Sequence, residues 1–245
     1  MLVPRRRRGF EILDDPATDP ALRERSLRDV RRSNVVLGGT HAVLVELARA
    51  LPTLGAGGSL LDVGTGLADI PHAARALAAR HGVALTIFGV DEAETLARVT
   101  TRTLDGSACA DARALPFPDS SIDVVTCSQM LHHFEDAEIP RVLAELHRVA
   151  RRRVIVSDIR RSWLAACGFW LVSWPLGFHP ITRHDGVVSV LRGFTADELS
   201  RHVLDATGVQ AAVRRHLGFR ITASWEKRRG DGGDGLLGTG SRPRP

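Results

Sequence analysis

The stretch Leu60-Leu61-Asp62-Val63-Gly64-Thr65-Gly66-Leu67-Ala68-Asp69-Ile70-Pro71 limits what this chain can fold into more than any other part of it. Leu60 to Val63 is an apolar run too short for a helix and suited to a buried strand. It breaks at two glycines one residue apart. Asp69 then suits a helix cap and Pro71 a first helical turn. A strand that turns sharply through glycines into a helix is the opening of an α/β unit, and the missing side chains let a ligand approach the main chain. Taken alone, the turn also fits a dinucleotide site or a plain strand-to-helix connection.

The same alternation continues downstream. Strands are predicted at 60–63, 85–90, 108–110, 122–127 and 154–157, with helices at about 70–80, 93–103 and 136–151. In the last of these helices Ile139, Val142, Leu143, Leu146 and Val149 recur at helical spacing. Such alternation predicts a parallel sheet covered on both faces. Upstream, 21–33 and 40–51 read as helices separated by Gly38 and Gly39, the second capped by Thr40. Downstream, Thr195 and Glu198 form a capping box that opens a helix to about 206, and Val209–Arg215 pairs with Phe219–Trp225 as a hairpin. The expected fold is α/β: a doubly wound, seven-stranded, mostly parallel, Rossmann-like sheet with an N-terminal helical cap and an antiparallel C-terminal hairpin.

A chain of 245 residues with 44% hydrophobic residues is enough for one well-packed domain. The domain is expected at 21–227, with an insertion at 163–194 and disordered tails at 1–20 and 228–245. The net charge of +5 invites a nucleic-acid reading, but the first eight residues hold four arginines and 227–245 a surplus of three cations. The segment between them is therefore slightly acidic, and no nucleic-acid partner is expected. Cys109, Cys127 and Cys167 lack metal-ligand spacing, so no metal is expected. With no secretory pattern at the N-terminus, the expected location is the cytoplasm.

Two further features bear on the ligand class; the first is shared with nicotinamide binders and the second is not. Asp91, followed by Glu92, ends the second strand where a carboxylate can accept both hydroxyls of an adenosine ribose, and Asp111-Ala112-Arg113-Ala114-Leu115-Pro116-Phe117-Pro118 precedes the fourth strand. With these three ordered motifs, residues 33–225 resemble the class I S-adenosylmethionine (AdoMet) methyltransferases, in particular the branch that methylates quinone precursors and other small metabolites. The resemblance implies AdoMet as cofactor. It places Gly64, Thr65 and Gly66 at the methionine and ribose, and Asp62 at the amino-acid end. Asp91 and Glu92 fall at the ribose, Asp111 and Ala112 at the adenine, and Ser128 near the methionine ammonium. Ala68 departs from the family pattern, in which glycine is common at that position. Ser128-Gln129-Met130-Leu131-His132-His133-Phe134 also lacks the Asn/Asp-Pro-Pro-aromatic step of enzymes that methylate adenine or glutamine.

His132 and His133 are the candidate bases for an acceptor hydroxyl, because imidazole titrates near neutrality. His179 and His184 rank behind them. Residues 163–178 form the most apolar stretch and are short for a transmembrane span. Three roles suit this stretch: a core helix, a lid over the acceptor, or a patch in weak contact with a membrane surface. As a lid it would place Trp163, Trp170 and Trp174, with His184, against the substrate. The function so read is methyl transfer to oxygen or carbon of an apolar aromatic, polyketide-like or quinone-like small molecule. The competing readings are an NAD-dependent oxidoreductase on a Rossmann sheet and a catalytically inactive methyltransferase-like binding protein. Asp69 stands where a dinucleotide fingerprint has its third Gly or Ala, which disfavours the first.

Overall fold

The structure, a computed structural model, describes residues 3–7, 9–15 and 17–227. The expected tail at 228–245 lies outside them. The elements follow the order α1 (Pro20–Val36), α2 (Gly39–Ala50), β1 (Gly57–Val63), α3 (Asp69–Arg80), β2 (Ala84–Asp91), α4 (Glu94–Thr100), β3 (Gly106–Cys109), β4 (Ile122–Ser128), α5 (Ile139–Val149), β5 (Ala150–Ile159), α6 (Trp163–Ser173), α7 (Pro180–Arg192), α8 (Ala196–Thr207), β6 (Ala212–His216) and β7 (Arg220–Glu226). The seven strands form one sheet in the order β3-β2-β1-β4-β5-β7-β6. The first five run parallel, and β7 is antiparallel to both β5 and β6. The connections reverse direction between β1 and β4, so the strand ends Val63, Asp91, Ser128 and Ile159 surround the crevice where α/β sheets bind ligands.

Two apolar layers hold the sheet. On one face, Val142, Leu143 and Leu146 of α5 and Leu199 and Val203 of α8 pack on Val125, Val154 and Ile221. On the other, Val43 and Leu47 of α2 and Ala74 and Ala78 of α3 pack on Leu60, Ile87, Val124 and Ile155. Trp225 is buried in the first layer and donates its indole N–H to His147 Nδ1 at 3.1 Å, which satisfies both polar groups.

Local differences from the sequence reading have physical causes. Thr40 does not cap α2. The helix starts at Gly39 after Gly38, whose φ of 74° places it in the left-handed region. Asp69 lies in the first turn of α3, and the cap position falls to Ala68, with φ 61°. The fifth strand begins at Ala150 and not near 154. Arg151 and Arg152 obscured its start, yet both pair with Asp123, while Arg153 reaches Ser224 and Glu226. The capping box forms as expected, with Glu198 N donating to Thr195 Oγ1 and Thr195 N to Glu198 Oε2.

The N-terminal segment was expected to be disordered, but its described residues are tied to the domain. Arg7 N donates to Leu191 O, Arg161 Nε donates to Pro4 O, and the amides of Ile12 and Leu13 donate to the Asp185 carboxylate. Glu11 is buried and pairs with Arg192 at 2.8 Å. The sequence reading missed these contacts because they are polar and distant in the chain, and leave no hydrophobic periodicity.

Candidate active site

At the carboxyl ends of β1, β2, β4 and β5 lies a cavity of about 980 Å³. One end is built from the glycine-rich turn. Gly64 has φ 73°, and a Cβ there would sit 2.9 Å from Met130 Cγ, so the position is closed to side chains by both conformation and space. Asp91 Oδ2 accepts from Gly66 N at 2.9 Å and Oδ1 from Ala93 N at 3.0 Å, which locks the turn against the end of β2. Asp62 is buried beneath the loop and accepts from Thr126 Oγ1 at 2.7 Å. Burial pushes its carboxyl up to about 7 against that hydrogen bond, and the nearby charges of Asp91 and Asp69 add to the rise. Ser128 Oγ is buried without a partner among the described residues. A ligand with a cationic amine and donors for Asp91 would answer these groups, and AdoMet has that chemistry, so the residues fit it.

The other end is organised by two histidines. His132 is buried, with Nδ1 2.7 Å from Asp158 Oδ1 at the end of β5, and its backbone N–H donates to Asp158 Oδ2 at 3.1 Å. Burial alone would raise the Asp158 carboxyl, but the charge and hydrogen bond of His132, the Ile159 amide and His133 outweigh it and hold it below the usual carboxylate range. An ionised Asp158 fixes the proton on Nδ1 and leaves Nε2 as the basic nitrogen. The ring of His133 stacks near that of His132, 4.3 Å between centroids, and its Nδ1 lies 3.9 Å from Glu11 Oε2.

The sequence-derived candidates divide between the cavity and other parts of the surface. Asp62, Gly64, Thr65, Gly66, Asp91, Glu92, Ala112, Ser128, His132 and His133 line the cavity. Asp111 does not. Its carboxylate turns to Arg113, which binds both oxygens at 2.8–3.0 Å and holds the loop. Trp163, Trp170, Trp174 and His184 lie outside the cavity too. Helix α6 does wall it, but with Ala165, Gly168, Phe169 and Val172, and its tryptophans are 40–55% exposed on the opposite face. His184 pairs with Asp185 at 2.8 Å, and His179 caps α7.

Several cavity residues escaped the sequence reading. Arg220 is buried, and burial pushes its guanidinium down to about 10 against the attraction of Asp158. It donates to Gln129 Oε1 at 2.6 Å, and Gln129 also bonds Asn34 of α1. Gln129 holds φ 52°, a left-handed conformation rare outside glycine. Arg220 and Asn34 carry no motif, and Glu11 lay in the segment read as a tail. Asp158 stands one residue before the end of its strand, as Asp62 does, and Asp91 ends its own, and that position was the one available signal.

Comparison with known proteins adds independent observations. Residues 61–156 match the family model described as a methyltransferase domain. Over 139 residues the chain is 30% identical to the "Ubiquinone/menaquinone biosynthesis C-methyltransferase UbiE" of Burkholderia mallei, covering 54% of this chain and 55% of that protein. The chain thus spans about half the length of the curated relatives it matches. Among solved structures, a SAM-dependent methyltransferase from Thermotoga maritima, described as a possible histamine N-methyltransferase, superposes with TM-score 0.55 at 16% identity, over 85% of this chain and 99% of that one. The magnesium protoporphyrin IX methyltransferase ChlM of Synechocystis PCC 6803, solved with bound SAM, gives TM-score 0.53 at 11% identity, over 89% of each chain.

Proposed function

We propose that this chain is a class I AdoMet-dependent methyltransferase and that it transfers a methyl group to oxygen or carbon of an apolar small molecule of aromatic, polyketide-like or quinone-like character; its sheet topology and the match of residues 61–156 to a methyltransferase domain support the reading. One observation carries the reading: the His132–Asp158 pair and the Asp62–Gly64–Asp91 turn open into the same cavity, with apolar walls from α6. The name of the Burkholderia relatives, which refers to quinone biosynthesis, supports the acceptor class.

When bound, AdoMet supplies an electrophilic methyl group on a sulfonium centre. Asp91 would receive the ribose hydroxyls, the Gly64–Gly66 backbone would allow close approach, and Asp62 would hold the amino-acid end. Ser128 would contribute its backbone, and its hydroxyl, which has no partner among the described residues, is available beside it. His132 Nε2 takes the proton of an acceptor hydroxyl or enol, while Asp158 stabilises the imidazolium formed. Leu13, Leu27, Val30, Phe169 and Val172 line the remaining surface and exclude water from the displacement. The direct test is to incubate the purified chain with methyl-labelled AdoMet and an extract of its own cells. Label in an apolar metabolite is expected, and heat on titration with NAD but none with AdoMet would overturn the proposal.

A further inference from the structure

A surface helix of a soluble domain normally turns polar residues outward. Helix α6 does the reverse. Trp163, Leu164, Cys167, Trp170, Leu171 and Trp174 recur at helical spacing and are exposed along its outer face. Residues 163–178 include no charged side chain. Leu164 and Leu171 are 62% and 61% exposed. Three tryptophans and two leucines side by side exceed the scattered apolar exposure of ordinary surfaces.

The cations around this face give its partner a sign. The Arg7 guanidinium lies 5.7 Å from the Trp163 ring centroid, and that of Arg183 3.8 Å from Trp174. Of the four arginines between 160 and 194, Arg161 is buried against Glu198 and Arg192 pairs with Glu11, while Arg183 stands beside this face; the single acid, Asp185, is buried under the amides of Ile12 and Leu13. Beside α6, a groove of about 430 Å³ is lined by Trp170, Pro180, Arg183, His184, Val187 and Val188, apolar along its length and basic at one side. Among the described residues no single helix is long and apolar enough to cross a membrane.

We propose that the outer face of α6, with Arg7 and Arg183, docks on the surface of an anionic phospholipid bilayer. Tryptophan favours the depth where hydrocarbon meets headgroup, and arginine adjacent to it meets lipid phosphate. A symmetric contact between two copies through this face would bring two sets of Arg7 and Arg183 into one interface, which charge disfavours. The opposite face of α6 lines the large cavity, so one helix thickness separates the bilayer from that cavity. The docking surface stands whatever reaction the cavity performs.

The test uses the full chain with vesicles of phosphatidylglycerol and phosphatidylcholine, or phosphatidylcholine alone. Flotation with the anionic vesicles is expected, at least tenfold stronger than with the zwitterionic ones. Tryptophan emission should shift to the blue, and bromolipids should quench it. Trp225, buried in the core, remains as an unquenched fraction. The triple variant Trp163→Ser, Trp170→Ser, Trp174→Ser should lose flotation at least tenfold while keeping AdoMet affinity and melting temperature. Arg7→Gln with Arg183→Gln should erase the preference for anionic lipid. Absence of flotation, equal flotation by the triple variant, or quenching that spares the exposed tryptophans would overturn the proposal. A concentration-dependent dimer abolished by the triple variant, without vesicle binding, would do so too. The quenching is read on the unaltered chain, so the result does not depend on the variant folding.

Discussion

Asp62 is a carboxylate that folding leaves close to half-protonated at neutral pH, since burial pushes it up to about 7. A ligand that brings an ammonium group to this end of the cavity favours the ionised form, so binding must expel the proton. Affinity should then follow the ionised fraction of Asp62 in the free protein, about 3% at pH ~5.5 and about half at pH ~7, a rise of about fifteenfold or roughly 2 kcal/mol. Measurements should stay below pH ~7.5, because an α-amino group itself titrates at about 7.7–8.0. Calorimetry in two buffers of different ionisation heat would report both the affinity and the proton released. Asp62→Asn should bind more weakly at neutral pH and lose the slope. A flat affinity between pH ~5.5 and ~7, or an equal slope in Asp62→Asn, would refute the reasoning. For folding, the native state keeps a proton that the unfolded chain has shed. The Asp62 contribution is therefore fully present below the unfolded value near 4 and is lost as pH rises through about 7.

Other perturbations address separate parts of the site. Asp91→Ala should weaken AdoMet binding by about 2–3 kcal/mol by calorimetry, because it removes a charged acceptor and also frees the Gly66 and Ala93 amides. Asp158→Asn should slow turnover by about a hundredfold or more in the labelled-methyl assay while sparing AdoMet affinity, since it removes the partner of His132 and not a cofactor contact. Asp158 is held low, so its contribution to stability is present above the ordinary carboxylate range and lost as pH falls through its native value. Acid melts should show a loss there that Asp158→Asn lacks. Trp170→Ala should cost less than about 1.5 kcal/mol in thermal melts, against about 3–5 kcal/mol for a fully buried aromatic, because its ring is 47% exposed.

Much of the fold was legible because parallel strands buried on both faces read as short apolar runs, and amphipathic α5 and α8 sit on them at helical spacing. The glycine-turn end of the cavity was legible because a sharp turn demands Gly64 and because acids at strand ends stand out from apolar neighbours. The acceptor end was less so. His132 could be singled out, but its partner Asp158 lies 26 positions away and is joined to it only by the pairing of β4 with β5. The apolar run 163–178 revealed a helix, and its content of tryptophan suggested a substrate contact. Which side of α6 faces the cavity is set by packing against α7, and small residues, Ala165 and Gly168, took that side. Asp111 shows a similar limit, since a motif position does not reveal that Arg113, two residues on, will engage its carboxylate.

The order in which this molecule assembles follows from how its first residues are attached. The contacts Arg161 to Pro4, Arg7 to Leu191, Arg192 to Glu11 and Ile12 to Asp185 each join positions more than 150 apart. Closing so long a loop has a large entropic cost and is repaid only once both anchoring surfaces exist. The parallel part of the sheet, β1 to β5, precedes α6 in the chain and can form before α7 has offered Leu191, Asp185 and Arg192 as anchors. The end of the cavity at the glycine turn is therefore expected to mature first, and the end at His132 to stay open to solvent until residues 3–7 and 9–15 settle against α7. Nascent chains should acquire cofactor affinity earlier than protection of the Ile12 and Leu13 amides from hydrogen exchange.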